Sequence, residues 1–308
     1  MRSGWTVAAA CRLQKWQLAA HALSPAARGM LWMAASGALY CLLNALLRAM
    51  SLRISAIQTL TLAYGSTLLL LLPWVLRAGP ARFWPRAPGA LLLRGAVHWV
   101  GMCLWLFAVT GISLAETTAI GFTTPLFIIV GAALLLKEPL RWDRGVATLV
   151  GFCGVLVVVA PKATGVSGGY ALLMLASAAV FAASFLLSKR LTRVEAPPVI
   201  VVWQSLIVTL LNIPFTIAHW QSPGAAIWLM ALACGALLAV GNYCLTRAFS
   251  TADISASQPA KFLDLLWACL LGWLVFGDRP EDTTLAGGLI ILLSTAWIAR
   301  RESVRARA

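Results

Sequence analysis

The chain has 308 residues, of which 61% are apolar and only 11% charged, and its 24 lysines and arginines against 10 acids give a net charge of +14. Soluble domains run at about 45–50% apolar and about 25% charged, so composition alone excludes a soluble fold, a disordered chain, collagen and a disulfide scaffold. The apolar residues lie in long continuous runs rather than in alternation, which excludes a transmembrane barrel and gives an all-α polytopic membrane protein.

Residues 1–28 read as a basic cytoplasmic tail with Arg2, Arg12, Lys15 and Arg28 and no acid. The tail lacks the apolar stretch and cleavage site of a secretory signal. Met30 opens the first span and offers an alternative start. Ten spans follow, at roughly 30–47, 55–76, 90–110, 115–136, 145–160, 169–187, 198–218, 225–246, 254–276 and 284–299, each near the roughly 20 apolar residues a bilayer requires. With the N-terminus inside, the cytoplasmic segments collect the tail's bases and Arg77, Arg82, Arg86, Arg94, Lys137, Arg141, Arg144, Lys189, Arg190, Arg193, Arg247, Arg300, Arg301, Arg305 and Arg307. The outer segments hold only Arg48, Arg53, Lys162 and Arg279. This bias puts both termini in the cytoplasm. It also accounts for the high charge without nucleic acid, since no run of bases sits beside stacking aromatics. Trp74, Trp84, Trp142, Trp220, Trp228 and Trp297 fall near span ends, as an interfacial belt requires.

The chain matches itself at an offset of about 140: Gly101 meets Gly241, Ala108 meets Ala248, and Glu138 meets Asp278. Two five-helix repeats are expected, over 29–161 and 168–301, followed by a short tail over 302–308. Five is odd, so the second repeat runs inverted through the membrane. The loops agree: Lys137 to Arg144 is net basic, and its counterpart Asp278 to Asp282 is net acidic. Inverted repeats place a binding site near the midplane between the halves and permit alternating access.

Two five-helix halves, each with an acidic turn after its fourth span, resemble the drug/metabolite transporter superfamily, EamA type. The best stretches are Glu116 to Pro161 and Ala248 to Gly288; the second contains ASQPAKFLDLLWACLLGWLVFGDRPEDTTLAGG. The resemblance spans residues 29 to about 301. It implies gradient-driven uptake or export of a small metabolite. The C-terminal repeat is similar to members associated with S-adenosylmethionine or riboflavin uptake, or with metallophore export. Two positions depart from many members: Lys261 and Asp264 stand where an aromatic or small polar residue is common, and Gln58 stands where arginine is common.

Ionisable groups inside spans normally face a bundle interior or a wet cavity. Lys261 and Asp264 are three apart and share a helix face, which Gln258 continues, and Pro259 loosens the start of that helix. They are the leading candidates to bind a zwitterion or to take part in proton coupling. Tyr40, Asn44 and Arg48 stack at helical spacing on the first span, with Ser184 and Ser188 matching Asn44 and Arg48 in the second half. Gln58, Trp203, Gln204, Asn242 and Tyr243 are further candidates to orient a substrate. His98, one turn after Arg94, and Glu116, opening the fourth span, join Asp264 as candidates for proton coupling. Ala231, Gly235 and Ala239 form a small-residue ridge, as do Ala147 and Gly151. Pro125 and Pro214 are expected to interrupt mid-membrane helices.

The seven cysteines show no CxxC pair and no metal-ligand spacing, so neither disulfide nor metal site is expected. There is no P-loop, GxSxG or HExxH motif, and no cofactor is expected. The leading reading is a secondary-active transporter of a small polar or zwitterionic metabolite in the inner (plasma) membrane, not an enzyme. The runner-up is a flippase for a lipid or lipid-linked intermediate on the same fold. A membrane-embedded enzyme would need a nucleophile or metal set, and an assembly subunit would not need Lys261 and Asp264 within a span. Expected partners are membrane lipids and the small-molecule substrate, with a proton and a second copy of the chain as candidates, and no nucleic acid.

Overall fold

In hydrocarbon the backbone can bond only to itself, so runs rich in leucine, alanine and valine become helices. The computed structural model describes residues 24–108, 111, 120–139, 141–159, 168–218, 220–271, 274 and 282–305, and every element formed there is helical. The first half contributes α1 (Pro25–Ser51), α2 (Ala56–Ala78), a 3-10 turn (Pro80–Phe83), α3 (Pro88–Ala108), α4 (Thr124–Leu136) and α5 (Trp142–Val159). The second half contributes α6 (Gly168–Leu191), α7 (Pro197–Ala218), α8 (Ala225–Thr251), α9 (Ile254–Ser257), a 3-10 segment (Gln258–Phe262), α10 (Leu263–Leu271) and α11 (Asp282–Arg305). Six of these, α1, α2, α3, α6, α7 and α8, are long and apolar enough to cross a membrane; α4 is apolar but shorter.

Several helices outrun their apolar cores. The first begins at Pro25 rather than near Met30, and α11 runs on to Arg305, its last turns held by ion pairs of Arg301 and Arg305 with Asp143 and of Glu302 with Arg144. The ninth run is not one helix: Pro259 brings a 3-10 segment between α9 and α10. Proline has no N–H to give and disfavours the α conformation before it. The expectation for Pro125 is corrected. It occupies the first turn of α4, where a missing N–H costs little, whereas Pro214 does lie inside α7. Glu116, Asp278, the first 23 residues and residues 306–308 lie outside the described residues.

The larger helix contacts form a self-consistent set. α1 lies along α8 and α3 along α6; α2 packs on α8 and α7 on α3; α1 meets α10 and α6 meets α4; α2 meets α7 and α5 meets α11. Exchanging α1–α5 for α6, α7, α8, α9 with α10, and α11, in that order, converts each of these contacts into another in the set or into itself. The pairing extends to single atoms. Ser36 Oγ donates to the carbonyl of Gly241 at 3.1 Å, and Ser177 Oγ donates to that of Gly101 at 2.9 Å. Gly235 brings α8 against α2, since a Cβ there would stand 2.7 Å from the backbone of Ser66 and Thr67.

The outer surface is apolar. Leu69, Leu134, Leu172, Leu229 and Leu293 are all exposed, as are the six span-end tryptophans. A soluble monomer does not present so much apolar surface.

Candidate functional site

The polar interior lies where helices of the two halves meet. On the 3-10 segment, Lys261 Nζ stands 2.5 Å from Asp264 Oδ2 and 5.5 Å from the centre of the Tyr40 ring. Lys261 lies in the last turn of the 3-10 segment and Asp264 in the first turn of α10, so the three-residue spacing across that junction puts the pair on one face. Asp264 Oδ1 is buried without a hydrogen-bond partner. It fits against α1 because residue 37 is glycine; a Cβ there would collide with the carboxylate. Tyr40 Oη donates to Asn242 Oδ1 at 2.9 Å, bridging α1 to α8.

Beyond Tyr40 a second polar group surrounds Arg94, which lies within electrostatic reach of Tyr40 and Tyr64. The arginine is only 1% exposed. His98, one turn along α3, is 3.4 Å through Nε2 from Tyr64 Oη and 3.4 Å through Nδ1 from Ser184 Oγ. Gln204, 2% exposed, approaches Tyr64 from α7, and its Nε2 has no partner. Counting Arg94 among the cytoplasmic loop bases was therefore wrong: α3 begins at Pro88, which carries Arg94 into the helical bundle.

Of the residues singled out in the sequence, the structure brings together Lys261, Asp264, Tyr40 and Asn242, with His98 and Gln204 in the neighbouring group around Arg94. The others lie elsewhere. Gln58 forms a reciprocal pair with the backbone of Gln221, Nε2 donating to the carbonyl at 2.6 Å and Oε1 accepting from N–H at 3.0 Å. Trp203 Nε1 donates to the carbonyl of Phe83 at 3.0 Å. Gln258 is buried and bonds back to the carbonyl of Ile254 at 2.9 Å instead of continuing toward Lys261. Asn44 is exposed, and Tyr243 is turned outward, edge-on to Trp32. Glu116 lies outside the described residues. Sequence reading missed Arg94 and Tyr64 as members of the group. The available signal was Arg94 at i, i+4 to His98 inside an apolar run.

One end of the bundle is held by charge. Glu138, just after α4, accepts from the N–H groups of Ile254 and Ser255 and from Ser255 Oγ, capping α9. Arg144, 4% exposed on its side chain, donates from Nε to Glu302 at 2.9 Å and from Nη1 to Asp253 at 3.1 Å and Ser255 Oγ at 2.8 Å. Lys189 donates to the carbonyls of Phe249, in the last turn of α8, and of Ala252, which caps it. Beside this lattice lies a cavity of about 490 Å³, lined by Ser24, Arg144, Lys189, Asp253 and Glu302 among others.

Comparison with known proteins gives one answer at the level of family. The EamA-like transporter family profile matches residues 27–160 and again 169–300. The chain is 33% identical over 287 residues to a riboflavin transporter of Rhizobium johnstonii, covering 92% of this chain and 95% of the relative. It is 26% identical over 234 residues to an S-adenosylmethionine uptake transporter of Rickettsia conorii, covering 76% and 79%. It is 27% identical over 268 residues to the pseudopaline exporter CntI of Pseudomonas aeruginosa, covering 85% and 93%. A protein of known crystal structure shares the fold, with a TM-score of 0.76 at 18% identity, over 91% of this chain and 99% of that one. These relatives are transporters and not enzymes. With two profile matches spanning nearly all of its length, this multi-pass membrane protein belongs to the EamA-like transporter family.

Proposed function

We propose that the protein is a gradient-driven carrier of a small polar or zwitterionic metabolite in the plasma membrane, working by alternating access. The observation that carries this reading is the group formed by Lys261, Asp264, Tyr40 and Asn242, charged and aromatic, at the meeting of helices from both halves. Charges kept inside a membrane bundle at such a seam are the ordinary mark of a substrate or proton path. Tyr40 offers a ring face to a planar cargo, and the Lys261–Asp264 pair offers both signs of charge. Riboflavin and S-adenosylmethionine, named for the relatives, are the first cargoes to try.

The proposed topology has ten spans in two inverted repeats, over 29–161 and 168–301, with both termini cytoplasmic. Two contact sets support it. Glu195 accepts from the N–H groups of Arg86 and Ala87, joining the start of α7 to the loop after α2. Gln58 and Gln221 join the start of α2 to the loop after α7. Equivalent joints lie at opposite ends of the bundle, as inverted repeats require. The starts of α5 and α9 and the ends of α4, α6, α8 and α11 gather at one end, which we assign to the cytoplasm. The Arg144–Glu302–Asp253 lattice there serves as the closed inner gate.

The test is uptake by proteoliposomes under an imposed pH gradient and without nucleotide, using a panel that includes riboflavin and S-adenosylmethionine. Gradient-dependent accumulation of at least one compound is expected. A strict requirement for ATP, or no uptake across a broad metabolite panel, counts against the reading.

A further inference from the structure

The group around Arg94 has a feature that the carrier reading does not use. The guanidinium is buried, its Nε and Nη1 have no hydrogen-bond partner, and no acid pairs with it among the described residues. Asp264, the nearby carboxylate, is engaged by Lys261. Tyr40 lies within electrostatic reach of both Arg94 and Asp264. A second donor is idle close by: Gln204 Nε2 is buried and unpartnered next to Tyr64. A buried unpaired cation is costly unless something outside the chain supplies its counter-charge. The guanidinium presents a planar fork that matches the two oxygens of a carboxylate or phosphate.

We propose that Arg94 is an anion-binding residue of the substrate site, taking a carboxylate or phosphate group of the cargo, with Gln204 Nε2 as an auxiliary donor. The inference rests on the carrier reading and narrows its cargo. The free energy that would otherwise hold Arg94 in an internal ion pair is left for the ligand, so binding an anion completes the site. The Lys261–Asp264 pair, with the ammonium 5.5 Å from the centre of the Tyr40 ring, supplies the second charged group of the site, so a zwitterion would lie across that ring.

The experiment uses the purified full-length protein in detergent and reads its thermal midpoint in chloride, inorganic phosphate or succinate at matched ionic strength. A ligand that binds only the folded state raises the midpoint. Phosphate or succinate should stabilise the wild type, and the larger shift identifies which group the site prefers. Arg94→Gln should abolish the shift and Arg94→Lys should reduce it, since an ammonium keeps the charge without the fork. In vesicles, losing a charged hydrogen bond should lower uptake of an anionic cargo roughly tenfold to a hundredfold in Arg94→Gln. No anion shift in the wild type, or an undiminished shift in folded Arg94→Gln, overturns the proposal. Should Arg94→Gln not fold, the wild-type shift and its reduction in Arg94→Lys decide. Uptake of a neutral cargo unaffected at Arg94 sinks this inference while leaving the carrier standing. An anion shift without any transport does the reverse.

Discussion

Ser36 donates its hydroxyl proton to the carbonyl of Gly241 across the α1–α8 seam, and both residues are buried. Ser177 repeats the arrangement with Gly101 across the α3–α6 seam. If these seams are equivalent, Ser36→Ala and Ser177→Ala should cost the same, about 0.6 kcal/mol each for an interhelical hydrogen bond in a membrane protein. Thermal midpoints of the two variants in detergent check this. A loss of several degrees in one and none in the other would contradict equivalence.

The Lys261–Asp264 pair keeps side-chain exposures of 27% and 19%. Breaking it should therefore cost less than the about 3–5 kcal/mol of a fully buried pair. Lys261→Met should destabilise the protein, and Lys261→Met with Asp264→Leu should recover folding without recovering uptake. Gly37→Ala should also lose uptake, because its methyl group occupies the place of the Asp264 carboxylate. Near-normal transport by the folded double variant would reduce the pair to a structural role.

Arg144 is expected to hold the inner end closed. Its partner Glu302 is buried, whereas Asp253 is 45% exposed on its side chain, so most of the interaction lies with Glu302. Arg144→Gln should leave that carboxylate with Arg141 alone, at 3.5 Å, and so cost less than the about 3–5 kcal/mol of a fully stranded charge. A cysteine at Ser250, on the cavity rim, should then react faster with a membrane-impermeant maleimide in inside-out vesicles. Unchanged reactivity together with unchanged stability would remove the gate assignment.

Topology has a direct check in Pro280→Cys and Arg141→Cys. Impermeant labelling of intact cells should reach position 280 and miss position 141, and inside-out vesicles should give the opposite pattern. Both positions on one face would end the inverted-repeat proposal.

The sequence by itself determined the class of the molecule. Apolar runs such as 198–218 and 225–246 can satisfy their backbone only as helices, so α7 and α8 appear close to where hydropathy puts them. The Lys261–Asp264 pair was equally legible, because three-residue spacing is a local property. Pro259, read as loosening a helix start, marks the 3-10 segment that leads from Lys261 into the helix carrying Asp264. Tertiary structure decided what each side chain meets. Gln58 and Trp203 looked like cavity residues, but Gln58 joins a loop 163 positions away and Trp203 bonds to Phe83. Arg94 looked like one more inner-loop base, yet the bundle encloses it beside Tyr64. Helical periodicity fixes which residues share a face. It cannot fix which helix that face meets, and the partner across the seam decides whether a polar group is satisfied or left open to a ligand.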